Sequence, residues 1–109
     1  MRTLKFIVDN QILRQDPDCD FENLVPGTED YLRAEFSFSP EWSGCAKVAA
    51  FHSMLGAEYP PQILRDGYSC LIPGKALQRR SFKVSVLGKK HGLKLVTNKV
   101  VVKQTGGKV

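Results

Sequence analysis

The sequence predicts an all-β fold: a single immunoglobulin-like β-sandwich of seven to eight mostly antiparallel strands, with residues 1–109 as one domain. Three observations carry this. Apolar and polar residues alternate along most of the chain, with little of the three-to-four spacing a helix needs. Gly, Pro, Asn and Asp interrupt the alternation about every ten residues, the rhythm of a sandwich. The 109 residues, 42% hydrophobic and 25% charged, suit one core that needs no metal or disulfide framework. A small barrel is the alternative closure. Composition excludes collagen-like, coiled-coil and low-complexity chains.

Residues 4–8 open the fold, with Leu4, Phe6 and Val8 on one face, and the Asp9-Asn10 pair turns the chain into a strand at 11–14. Residues 16–30 form an acidic loop that contains Pro17 and the Pro26-Gly27 turn pair. The clearest strand is 31–39. Leu32, Ala34, Phe36 and Phe38 line one face, and Tyr31, Arg33, Glu35, Ser37 and Ser39 line the other. Residues 40–44 turn the chain around Trp42. The next strand, 45–53, is apolar on both faces apart from Lys47, which places it centrally with cover on both sides.

Gly56 and Pro60-Pro61 break the chain again. Residues 62–64 and 68–72 then read as a hairpin closed by Asp66-Gly67. Pro73 opens one helical turn that runs to Gln78. In 81–87, Phe82, Val84 and Val86 alternate with Lys83 and Ser85, and a loop at 88–92 leads to a strand at 93–96. A last strand at 100–103 closes the domain before Gly106-Gly107.

The net charge of +5 conceals a division. All 11 acidic residues lie within 1–66, beside six Lys or Arg, for a formal charge of −5. The remaining residues, 67–109, carry ten Lys or Arg and no acid, for +10. A basic surface of this kind suits a polyanion, and opposed surfaces suit head-to-tail contacts between copies. A sandwich that interleaves the two halves would instead mix the charges.

Cys19, Cys45 and Cys70 are an odd count without C-x-x-C spacing, which argues against a disulfide scaffold or a zinc site. Cys45 and Cys70 read as small buried hydrophobes, and a bridge between them is left for geometry to decide. No signal peptide is expected at residues 1–9, nor any stretch of about 20 apolar residues for a membrane span. Synthesis in a reducing cytoplasm is the expectation.

The alternating acids Asp16, Asp18, Asp20 and Glu22 invite a calcium reading, but a helix-loop-helix site needs Gly at its sixth position and Glu at its twelfth. Those positions hold Phe21 and Gly27. No catalytic residues are assigned: His52 and His91 are the two histidines, and no nucleophile elbow or His-Glu-x-x-His motif accompanies them. No metal or cofactor is expected. The Gly88-Lys89-Lys90-His91-Gly92 run lacks the spacing of a phosphate loop. Ten cations between Lys75 and Lys108 could meet phosphates, but the basic part offers few aromatic platforms, so nucleic acid is the weaker partner.

Three segments also carry a family resemblance: Tyr68-Ser69-Cys70-Leu71-Ile72-Pro73-Gly74-Lys75-Ala76-Leu77, Phe82-Lys83-Val84-Ser85-Val86-Leu87-Gly88, and Gly92-Leu93-Lys94-Leu95-Val96-Thr97-Asn98. Together they resemble small β-sandwich modules of phage tail and baseplate proteins, including the amino-terminal domain of upper baseplate proteins. The likeness covers about the last third of the chain, with a looser match at Glu41-Trp42-Ser43-Gly44. It implies a non-enzymatic tail or baseplate component of a virion, made in the bacterial host cytoplasm, that contacts other virion subunits as a homo-oligomer. Val109 ends the chain without a fibre or carbohydrate-binding domain, which favours assembly or decoration over receptor binding. The rivals are a capsid decoration protein and a small inhibitor or nucleic-acid-binding module that uses the basic part. The contact candidates are Lys89, Lys90 and Lys94 on the basic side, Asp16, Asp18, Asp20 and Glu22 on the acidic side, and Trp42 as an aromatic anchor.

Overall fold

In the computed structural model, which describes residues 1–107, nine strands form two sheets. In chain order they are β1 (Arg2–Asp9), β2 (Ile12–Gln15), β3 (Leu32–Phe38), β4 (Ala46–His52), β5 (Gln62–Ile63), β6 (Ser69–Leu71), β7 (Ser81–Lys90), β8 (Leu93–Val96) and β9 (Val100–Lys103). The first sheet has the order β2-β1-β3-β6. In the second, β4 lies between β5 and β7, and β8 and β9 both pair with β7. Every pair is antiparallel except β1 with β3, which run parallel from Arg2↔Leu32 to Val8↔Phe38. A parallel pair needs a long return connection. Here β2 and the acidic loop supply it, which accounts for the loop's length.

The alternation seen in sequence becomes the core. Leu4, Phe6 and Val8 of β1, and Leu32, Ala34 and Phe36 of β3, are buried opposite Ala49 and Phe51 of β4 and Phe82, Val84 and Val86 of β7. Phe6 stacks on Phe36 with ring centroids 5.2 Å apart. β4 lies between β5 and β7 as expected, but it is not covered on both faces: Ala49 and Phe51 enter the core, while Ala46 is exposed and Val48 and Ala50 are half-buried on the outer face of the two-layer fold.

Three local expectations are corrected. The hairpin expected from residues 62–64 and 68–72 is reduced to the single antiparallel pair Arg65↔Ser69: β5 pairs with β4 in one sheet and β6 pairs with β3 in the other. The intervening turn, with positive φ at Asp66 and Gly67, carries the chain between sheets. Leu64 donates its N–H to Lys47 O, and Tyr68 O accepts Phe36 N–H. Next, β7 continues through Lys90, so the expected 88–92 loop shrinks to a His91-Gly92 turn with both residues at positive φ, the two-residue hairpin turn that matches strand twist. The first turn likewise centres on Asn10 and Gln11, since Asp9 pairs with Ile12.

β8 and β9 form one interrupted strand. Between the pairs Leu87↔Val96 and Val84↔Val100, three residues on one side oppose two on β7, which is a β-bulge. The expected helical turn survives as a single 3₁₀ turn, Ala76–Gln78.

Candidate functional site

The basic candidates gather at the β7–β8 hairpin. Lys89, Lys90 and Lys94 line a shallow depression with His91 and Leu93. Lys89 and Lys94 are exposed. Lys90 has another use: its Nζ donates to Ser43 O at 2.6 Å, tying the hairpin to the turn after the Pro40–Trp42 3₁₀ segment.

The acidic candidates lie along the outer edge of β1, towards its amino end. Asp16 donates its N–H to Lys5 O, Lys5 N–H bonds Cys19 Sγ, and Cys19 Sγ–H reaches Thr3 O. These bonds cover the part of β1 that β2 does not pair with, so the loop blunts an open strand edge. Arg2 then fixes the loop by donating to the carbonyls of Asp20 and Glu22. Two of the four carboxylates are committed locally: Asp16 accepts Asp18 N–H and Asp20 accepts Glu22 N–H. Asp18 and Glu22 are exposed and free of such bonds among the described residues. Among those residues no group of three or more metal-ligating side chains forms.

Hairpin and loop sit at opposite ends of β1. Asn10, just past its carboxyl end, accepts the Trp42 indole N–H, and Trp42 in turn packs against Gly88 of β7. The loop is fastened to Arg2, Thr3 and Lys5. The molecule is elongated, 50 × 29 × 21 Å. The signs are nonetheless mixed over the surface. Glu41 faces the Asn10 amide near the basic hairpin, and Arg79 and Arg80 precede β7 at the far end.

Trp42 is no surface anchor. It is fully buried, with its Nε1 donating to Asn10 O at 2.7 Å and its ring 5.2 Å from Phe38. A place in a turn fits either a core cap or an anchor, and the glycine at position 88 decides it by leaving the space the indole fills.

All three cysteines are free. Cys45 precedes β4 and Cys70 lies in β6, in different sheets, so the bridge left open in sequence does not form. Burial pushes the Cys70 thiol up to about 12. His52 is buried, 3.4 Å from Ser85 Oγ through Nε2, and its Nδ1 lies 3.9 Å from Glu58 Oε1. His91 is exposed in the hairpin turn.

A cavity of about 670 Å³ was not legible in sequence. It lies between the turn after β4, with Met54, Leu55 and Tyr59, and the segment before β7, with Lys75, Arg79 and Arg80. Its two walls come from separate loops, and the one available signal was an unpaired Met54-Leu55 beside Gly56.

No protein-family model, curated protein or solved structure matches the chain. The described residues include no helix long and apolar enough to cross a membrane.

Proposed function

We propose that the chain is a non-catalytic assembly module of a phage virion, a tail or baseplate component with an immunoglobulin-like sandwich, whose copies meet head to tail. One observation supports it above the others. Exposed Lys89 and Lys94 at one end of β1, and exposed Asp18 and Glu22 at the other, have no ion-pair partner within the described chain. A contact between unlike patches is heterologous and builds rings or stacks. The virion setting comes from the resemblance of segments 68–77, 82–88 and 92–98. The sandwich-like pair of sheets is compatible with that family's fold, and capsid decoration would use the same contacts at another place on the particle.

The test is light scattering of purified protein at about 50 mM and about 500 mM salt, which changes the screening length several-fold. The wild type forms a defined assembly that loosens at high salt. Lys89→Glu with Lys94→Glu gives monomers, as does Asp18→Lys with Glu22→Lys. An equimolar mixture of the two variants restores assembly, because each copy then meets a copy of opposite charge at both contacts. A wild type that is monomeric in both salts, or variants that assemble unchanged, would sink the proposal.

A further inference from the structure

The cavity beside Arg79 and Arg80 has two walls of different chemistry, each held in place by its own backbone bonds. One wall is the turn after β4. Ser53 N–H bonds Ala57 O at 2.8 Å, Ala57 N–H bonds Ser53 Oγ at 3.0 Å, and Gly56 N–H returns to Ser53 O. This turn holds Met54 and Leu55 outward, and Leu55 is 99% exposed. Burying a leucine is favourable, and here that contribution is forgone on a turn whose shape is fixed.

The other wall is cationic. Buried Gln104 donates its side-chain amide to Leu77 O at 3.0 Å and Arg79 O at 2.7 Å, and its backbone N–H to Arg80 O at 2.6 Å. Ala76 and Leu77 are fully buried beneath the same segment. The backbone that carries Arg79 and Arg80 is therefore clamped from below while Lys75, Arg79 and Arg80 are exposed. Among the described residues, no carboxylate lines the cavity and none pairs with these three cations.

We infer that this cavity docks an acidic peptide segment of a partner protein, one that carries an aliphatic side chain among its carboxylates. The cations complement the carboxylates, guanidinium forks being suited to bidentate carboxylate contacts. The Met54-Leu55 wall receives the aliphatic group, and the volume lies within the range of ligand pockets. Nucleic acid fits less well, since sequence-tolerant strand binding uses exposed aromatic platforms. The one aromatic lining residue, Tyr59, is packed against the core. The site lies beyond the first residue of β7, at the far end of that strand from the Lys89–Lys94 hairpin, so it is separate from the assembly contact proposed above.

Fluorescence polarisation tests it with three labelled probes: acetyl-Glu-Glu-Leu-Leu-Glu-Glu-amide, the same peptide with Ser in place of Leu, and an oligodeoxythymidylate of equal charge. The Leu peptide binds the wild type, and the Ser peptide binds at least about fivefold more weakly. Arg79→Ala with Arg80→Ala weakens the Leu peptide about tenfold. Leu55→Ser removes the preference for Leu over Ser, and Lys89→Glu with Lys94→Glu leaves binding intact. The substituted side chains are solvent-exposed or surface-bound, and matched thermal unfolding confirms that the variants fold. Absence of wild-type binding, equal affinity for the Leu and Ser peptides, tighter binding of the oligonucleotide, or indifference to the Arg79/Arg80 pair would each overturn the inference. Loss of binding in the Lys89/Lys94 variant would overturn its location.

Discussion

The side-chain amide of Asn98 takes both backbone groups of Leu13: Leu13 N–H donates to its Oδ1 at 2.7 Å, and its Nδ2 donates to Leu13 O at 3.1 Å. One side chain thus does what a strand would do, and it does so between sheets, since Leu13 lies in β2 and Asn98 in the bulge between β8 and β9. The bulge itself is held by Thr97, whose hydroxyl accepts Val86 N–H at 2.9 Å and donates to Asn98 O at 2.8 Å. Gln11 and Gln15 add bonds to Val96 O and Val101 O along the same seam.

Asn98→Ala should therefore destabilise the fold by about 2 kcal/mol, two net hydrogen bonds at about 1 kcal/mol each. Asn98→Asp is the sharper variant. It keeps an acceptor for Leu13 N–H but sets a carboxylate against Leu13 O, so it should fall well below wild type despite nearly equal size. Urea unfolding midpoints at pH 7.5 decide this, and an Asn98→Ala midpoint equal to wild type would mean that the seam adds nothing to stability.

Position 88 carries a similar obligation. A Cβ on Gly88 would lie 2.8 and 2.9 Å from two carbons of the Trp42 ring and 3.3 Å from Cys45 Cβ. Gly88→Ala should cost about 1–3 kcal/mol through overpacking. Trp42→Phe should also destabilise, because it empties core volume and strands Asn10 O without its indole donor. The double variant should lose less than the two losses added together, by on the order of 1 kcal/mol, since the smaller ring frees room for the methyl group. Strict additivity in chemical denaturation would show that the contact is not what constrains residue 88.

The same residues mark how far the sequence could be read. Leu32, Ala34 and Phe36 declare their buried face because alternation is a local property of a strand, and the structure keeps that face. Pairing is not local. The Asp66-Gly67 turn has hairpin chemistry, yet residues on its two sides join different sheets, because Leu64 and Tyr68 find backbone partners in β4 and β3. Alternation could not decide between a core cap and a surface anchor for Trp42 for a related reason: its space exists because of a glycine in β7, far along the chain. Of the charged candidates, the hairpin and the loop were legible as groups. That Lys90, Asp16 and Asp20 are occupied with backbone partners required their neighbours to be known. The Arg79–Arg80 cavity is assembled from two loops that share no pattern.

His52 provides the pH dependence. It is buried at the end of β4, and its pKa is held below the ordinary histidine value, first by desolvation and then by Lys99, with Lys83 acting the same way and Glu58 opposing them. Its Nδ1 finds no hydrogen-bond partner, so a proton there gains little to offset the loss of hydration. The unfolded chain takes up that proton near pH 6.5, before the folded chain does. Stability from this group is therefore fully present above about pH 6.5 and declines as pH falls towards the lowered folded value, where the unfolded state binds more protons. Urea unfolding followed from pH 7.5 to pH 5.0 should show the wild-type midpoint falling, with His52→Gln flatter across the same range. The Asp and Glu residues contribute to both proteins, so the difference between the two curves isolates the histidine. Parallel curves would mean that His52 takes its proton equally well in the folded chain, and would argue that Glu58, at 3.9 Å, fully offsets burial and the two lysines.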